Sequence, residues 1–255
     1  MKRATLALLL VPFLSATLLF LTLYIWRIAY PWSDWASLGF IPLTLILFFG
    51  HMVHSVEIYR ARLHTAIRVE SSLSSILTGN IWAILRTFTL LLVAIPLMAW
   101  QALVSEIHET ITLFVLCLFS GGLFSFLKLR ISSHFHNPFS DMFAISSGTW
   151  IIAIIFIPII AWMNFGYTSH AGENLTADLT EAVMLRLKDL PLRQSSIAEI
   201  LAPMYAYEAA KLWIVVQLGE SKWAVVLFSL DTALISFIFA RVSIVLNLTI
   251  QRIIR

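Results

Sequence analysis

Six separate stretches of this chain are long and apolar enough to cross a bilayer, and few folds accommodate such a series. Crossing the hydrocarbon takes about 20 predominantly apolar residues in helical form. Backbone N–H and C=O groups find no water there, so only helices and closed barrels can cross. The stretches are continuous and lack the alternation of barrel strands, which selects helices. They cover residues 5–26, 38–57, 81–104, 111–127, 142–165 and 223–248. The expected fold is all-α, a polytopic transmembrane bundle of six spans with a short outer helical segment between spans five and six. Composition points the same way. Only 12% of the 255 residues are charged and 60% are hydrophobic, whereas a soluble domain carries about 25% charge. A water-facing surface cannot be built from so few ionisable groups.

Residues 1–165 form the expected five-span region, 166–221 an extracytoplasmic helical segment, and 222–255 the sixth span with a cytoplasmic tail. Lys2 and Arg3 before an apolar run resemble a signal peptide. The run exceeds the roughly 7–15 residues of a signal core, and no small-residue cleavage pattern follows it, so it reads as a span. In 58–80, Tyr59, Leu63 and Ile67 recur every four positions, which predicts a surface-lying amphipathic helix ended by Gly79-Asn80. Leu179, Val183 and Leu187 share one face of a short helix that Pro191 ends. Ser196 and Glu199 have capping-box spacing and open a further helix, 197–218.

That helix is the ambiguous one, because it carries Glu208, Lys211 and Gln217. A charge at mid-membrane costs about 2.5–3.5 kcal/mol on the insertion scale. It is therefore expected to lie at the interface, with Glu208 and Lys211 pairing at i, i+3. A seventh span would put the basic tail, 249–255, outside.

With the N-terminus inside, the cytoplasmic side collects Lys2, Arg3, Arg60, Arg62, Arg68, Lys128, Arg130, Arg252 and Arg255. Short outer connections carry Asp34, Glu106 and Glu109. The positive-inside rule then places both termini in the cytoplasm, and the short loops suggest the cell inner membrane. Trp26, Trp32, Trp35, Trp100, Trp162 and Trp223 fall at the outer ends of spans, as an aromatic belt would. The net charge of +3 reflects these basic loops; no basic run is dense enough to suggest a nucleic-acid partner. The single cysteine, Cys117, lies in an apolar run and reads as a small buried hydrophobe.

Spans three and five end in related strings, Ile95-Pro96-Leu97-Met98-Ala99-Trp100 and Ile157-Pro158-Ile159-Ile160-Ala161-Trp162. At the same offset Arg68 meets Arg130 and His108 meets His170. The alternatives are a parallel hairpin repeat, as in some transporters, or the common use of proline and tryptophan at span ends.

Soluble-enzyme signatures for nucleotide binding, serine hydrolysis and zinc proteolysis are absent, so a non-enzymatic role is expected. Three features could carry chemistry. His51, His54 and Glu57 lie along one side of span two at its inner end. His134 and His136 follow the inner end of span four, and four histidines near one membrane face could ligate a haem b. Against this, the second pair sits on a loop beside Asn137-Pro138. No metal centre is expected, because no cysteine or tight carboxylate set joins them.

The second feature is Asp231 with Arg241 in the last span, ten residues apart. At 1.5 Å per residue they are about 15 Å apart, so each needs a partner on another helix. Arg86, early in span three, lies at a compatible depth on the inner side. Intramembrane ionisable residues are functional candidates by default. The plainer role for Asp231 is a hydrogen bond that locks helices or subunits together. The third feature, Gly121-Gly122 with Ser120 and Ser125, fits close helix approach.

The leading expectation is a non-enzymatic subunit of a larger inner-membrane assembly, with the lipid bilayer and other membrane subunits as partners. The rivals are a small transporter or channel using Asp231 and the His51/His54/Glu57 stripe, and a haem-b electron-transfer subunit.

Overall fold

A computed structural model describes residues 2–66, 80–171, 178–188, 190, 196–218 and 222–254. The described chain is all-α. Its helices are α1 (Lys2–Ala29), a 3-10 turn (Asp34–Gly39), α2 (Phe40–Ala66), α3 (Asn80–Val104), α4 (Ile107–Ile131), α5 (Phe139–Ala171), α6 (Leu179–Leu187), α7 (Ser196–Leu218) and α8 (Lys222–Ile254). Six described segments are long and apolar enough to cross a membrane, in α1, α2 with its preceding turn, α3, α4, α5 and α8. Helix α7 is not among them. The protein is a six-span helical membrane protein with α6 and α7 between spans five and six.

The spans run up and down between two ends. At one end Trp26 Nε1 donates to the Ala99 carbonyl at 3.0 Å and Arg27 donates to the Ser105 carbonyl at 2.7 Å, tying α1 to the exit of α3. Trp26 also stacks on Tyr30 and leans on Phe40 at the start of α2. At the other end Lys128 of α4, Asp141 of α5, Glu57 of α2 and Arg252 of α8 meet. We call these the aromatic end and the ionic end.

Helix α8 is the centre: 72% of its span is buried, against 28% to 44% of the other five. Lipid tails are as apolar as leucine, so the bundle coheres through close packing and polar contacts more than through the hydrophobic effect. Small interior residues permit this, among them Ala16, Ala94, Ser120 and Ala240, all fully buried. Two glycines mark tight crossings: a Cβ on Gly50 of α2 would overlap Thr249 of α8, and Gly121 of α4 is nearly as close to its neighbours. A Cβ there would fall 3.0 Å from Pro12 of α1 and closer still to Asn247 of α8, whereas Gly122 faces open space. Of the glycine pair, Gly121 is therefore the one that packing requires.

Several helices outrun their apolar stretches. Helix α2 continues unbroken past Glu57 to Ala66, so the expected boundary at 58 is absent. The remainder of the expected amphipathic helix, 67–79, lies outside the described residues. Residues 249–254 continue α8, so the expected basic tail is helix, and it brings Arg252 to Glu57. A helix of 33 residues is about 50 Å long, well beyond the hydrocarbon thickness of about 30 Å, so α5 and α8 tilt or project.

The expected aromatic belt divides. Trp32, Trp35 and Trp162 are exposed, but Trp26 and Trp100 are core residues, 2% and 4% exposed. The side chain of Trp223 lies outside the described residues. The same division separates the two related strings, since Trp100 is buried and Trp162 is 82% exposed. The matched tryptophans thus have opposite surroundings, whereas the matched Met98 and Ile160 are both buried. Arg68 and the side chain of His170 lie outside the described residues.

Candidate functional site

The intramembrane polar residues assemble at two places. The first lies under α7, towards the aromatic end. Asp178 caps α6 by accepting from the Thr180 amide at 3.1 Å. Helix α6 packs on α7, and α7 reaches α3 and α8. Lys211 Nζ of α7 lies 2.5 Å from Asp231 Oδ2 of α8. The two side chains are 8% and 6% exposed, so this is a buried ion pair. Tyr207, one turn before Lys211, adds its ring near Lys211 Nζ, at 5.9 Å from the centroid. Burial, then the Asp231 charge and a hydrogen bond to it, raise the Tyr207 phenol above its ordinary pKa, which keeps it protonated.

These contacts replace the expected Glu208–Lys211 pair. Glu208 Oε1 accepts from Arg186 of α6 at 3.0 Å, and Lys211 turns to Asp231. The physical reason is burial. Asp231 has left water, and a partner at full charge is worth more to it than to the helical neighbour Glu208, which has Arg186 beside it. Asp231 thus meets the partner on another helix that its position demanded, and that partner is Lys211, not Arg86.

The second place lies nearer the ionic end, between α2, α3 and α8. His51 and His54 are both buried, 3% exposed each. His51 Nδ1 shares a 2.9 Å hydrogen bond with Thr87 Oγ1 of α3, and Ser55 approaches the same nitrogen at 3.4 Å. His54 Nδ1 has no hydrogen-bond partner among the described residues. Arg86 and Arg241 both lie within electrostatic range of His51 and of each other. No carboxylate lies within 4.0 Å of either guanidinium among the described residues. Glu57, the third member of the stripe, is elsewhere: it accepts from Arg252 at 2.6 Å. Lys128 Nζ is 2.8 Å from Asp141 Oδ1 but off the hydrogen-bond direction, so that contact is Coulombic. The stripe is therefore broken into a buried histidine pair and a member of the ionic network.

His134 and His136 are exposed on the α4–α5 connection, whereas His51 and His54 are inside the bundle. Among the described residues no group of three His, Cys, Asp or Glu side chains is placed to hold a metal ion. Cys117 is buried, with its Sγ towards the Phe239 carbonyl and its own carbonyl accepting from Ser243 at 2.8 Å. Ser125 of the small-residue region accepts from Gln251 at 2.9 Å. A mostly apolar cavity of about 270 Å³ lies at the aromatic end, walled by Phe20, Leu23, Tyr24, Leu113 and Phe239.

Sequence reasoning missed one feature of α7. Its exposed or part-exposed residues Ile200, Pro203, Tyr207, Ala210 and Ile214 follow a 3-4-3-4 spacing, which is one continuous helical seam. The opposite face carries the buried Leu201, Tyr205, Glu208 and Ala209. The spacing was visible in the chain, but the two apolar faces could be separated only once one was seen packed. No protein-family model, no curated protein and no solved structure matches this chain.

Proposed function

We propose that this protein is a non-enzymatic integral membrane subunit whose α6–α7 unit docks other membrane subunits of a larger assembly. The observation that carries the reading is the α7 seam. One face of α7, with Leu201, Tyr205 and Ala209, is buried against the bundle and flanked by the Lys211–Asp231 pair. The exposed side holds Ile200, Pro203, Ala210 and Ile214, with Tyr207 at its edge beside Lys211, and no helix of this chain lies upon it among the described residues. That is the pattern by which one helix receives another. The neutralisation of Asp231 by Lys211 supports an architectural use of that carboxylate over an ion or proton site. The dispersal of Glu57 from the histidines weakens the case for a continuous transport stripe, and the separation of the histidine pairs weakens the case for haem b. By the distribution of basic residues, the seam would lie on the outer side of the inner membrane, with both termini cytoplasmic.

Photo-crosslinking side chains at positions 200 and 214, with position 92 of α3 as the lipid-facing control, test this in native membranes. The expected result is a stoichiometric protein adduct at Ile200 and Ile214 and none at Leu92, which is 61% exposed. Lipid adducts alone at all three positions would overturn the docking role.

A further inference from the structure

The cavity at the aromatic end is polar at its rim and apolar at its floor. The floor is Leu23 of α1, Leu113 of α4 and Phe239 of α8, which are 4%, 3% and 1% exposed. Phe20 completes it, edge-on to Phe114 and tilted against Phe239. The rim carries the exposed Tyr24 and Arg27 of α1 and Ile107 of α4. Phe20 and Arg27 are seven residues apart, so the lining follows α1 for about 10 Å. Gln101, in the last turn of α3, and Ser105, just beyond it, make a polar wall. Two polar groups here have unused capacity. Arg27 donates to the Ser105 carbonyl at 2.7 Å and has no carboxylate within 4.0 Å among the described residues, so its five-donor fork is far from filled. Gln101 is only 7% exposed, and no described residue hydrogen-bonds its side-chain amide. Glu106 and Glu109 do not line the cavity, and Glu106 turns to His108.

A buried amide and a guanidinium above an apolar floor suit a ligand with an acidic head and a hydrocarbon body. Water could bond Gln101, but a buried water needs about two to four polar partners, and the floor offers none. The volume, about 270 Å³, exceeds the roughly 150 Å³ of an apolar cavity that takes up benzene. It is near the low end of small-molecule sites, about 300–1,000 Å³. That is room for part of one chain and not for a whole phospholipid. The rim lies at the end of the span Leu10–Ala29, close to headgroup depth, where arginine and tyrosine keep their polar tips. We infer that this cavity binds the acyl chain of an anionic amphiphile, with the acidic head at Arg27 and a head or ester oxygen at the Gln101 amide. A fatty acid and an anionic phospholipid present the same chemistry, a chain beneath an acidic head, and the experiment separates them.

Native mass spectrometry of the delipidated, detergent-purified protein, titrated with oleate, phosphatidylglycerol or oleyl alcohol, tests this. Wild type should retain one acidic ligand per chain, bound about tenfold tighter than oleyl alcohol, the worth of one charge-assisted hydrogen bond. Whichever of oleate and phosphatidylglycerol binds tighter identifies the source. R27Q should remove the advantage of the acid, and R27K should keep most of it. Q101L should weaken the acid several-fold. A102F, which fills the cavity from the half-buried Ala102, should weaken every ligand about tenfold or more. R130Q, on the exposed end of α4, should change nothing. Thermal midpoints establish that the variants fold. If A102F does not fold, labelling of wild type with a diazirine-bearing fatty acid gives the reading, with adducts expected in 20–27 and 107–113. Oleyl alcohol bound as tightly as either acid, an acid preference that survives in folded R27Q, undiminished binding by folded A102F, or adducts confined to other segments would overturn the site.

Discussion

Two places in one bundle take ionisable groups out of water and treat them differently. Under α7, Lys211 and Asp231 meet at 2.5 Å and cancel. On α3 and α8, Arg86 and Arg241 have no carboxylate within 4.0 Å to cancel them among the described residues. A matched buried pair restricts geometry: it sets the height of α7 on α8 and asks nothing of the surroundings. Arginines without a carboxylate set no such geometry. A hydropathy profile scores both alike, as charges in apolar helices.

The largest effect should come from breaking the matched pair on one side. K211M leaves Asp231 buried and uncompensated, and should cost about 3–5 kcal/mol in unfolding free energy. K211M/D231L removes both charges and should return to within about 1 kcal/mol of wild type, because a buried pair replaced by apolar residues is often neutral. Chemical denaturation in mixed micelles measures both. A double variant as unstable as K211M would mean that the pair does more than cancel itself.

The unmatched pair should respond with the opposite sign. R241M in lipid-free detergent removes a charge that has no carboxylate partner among the described residues and should stabilise by about 2–3 kcal/mol, near the scale of inserting one arginine. A destabilised R241M in lipid-free detergent would show that the guanidinium already has its counter-charge within the bundle.

Smaller effects sharpen the contrast by testing neutral contacts. G121V would drive side-chain atoms into Pro12 and Asn247 and should cost about 1–3 kcal/mol by overpacking, whereas G122V should be nearly silent. T87V removes the hydrogen bond to His51 and should cost about 1 kcal/mol. E57Q, in the partly exposed ionic network, should cost no more than about 1 kcal/mol, with the loss fading as salt rises.

The spans were legible because a run of apolar residues has only one stable form in lipid. The reading of α7 as a non-spanning helix rested on Glu208 and Lys211, and the absence of α7 from the apolar spans accords with it. The length of α2 and α8 was not legible. A hydropathy reading stops at the first charges, whereas the helix continues as long as its backbone bonds do, which carries α2 to Ala66 and α8 to Ile254. The ion pairs were half legible. Asp231 had to find a partner on another helix, but choosing Lys211 over Arg86 depends on how α7 folds back, which no local pattern encodes. Trp26 and Trp100 were misplaced in the belt because a tryptophan at a span end reads the same whether it faces lipid or a neighbouring helix. For Trp26 the Ala99 carbonyl opposite its Nε1 marks the buried case.

The most direct test of the docking role is size analysis after mild-detergent extraction from native membranes, comparing wild type with I200E/I214E. The account predicts that wild type elutes with stoichiometric partner proteins and that the seam variant elutes as a lone chain with an unchanged thermal midpoint. Wild type eluting alone or only with copies of itself, with the seam variant behaving identically, would contradict it.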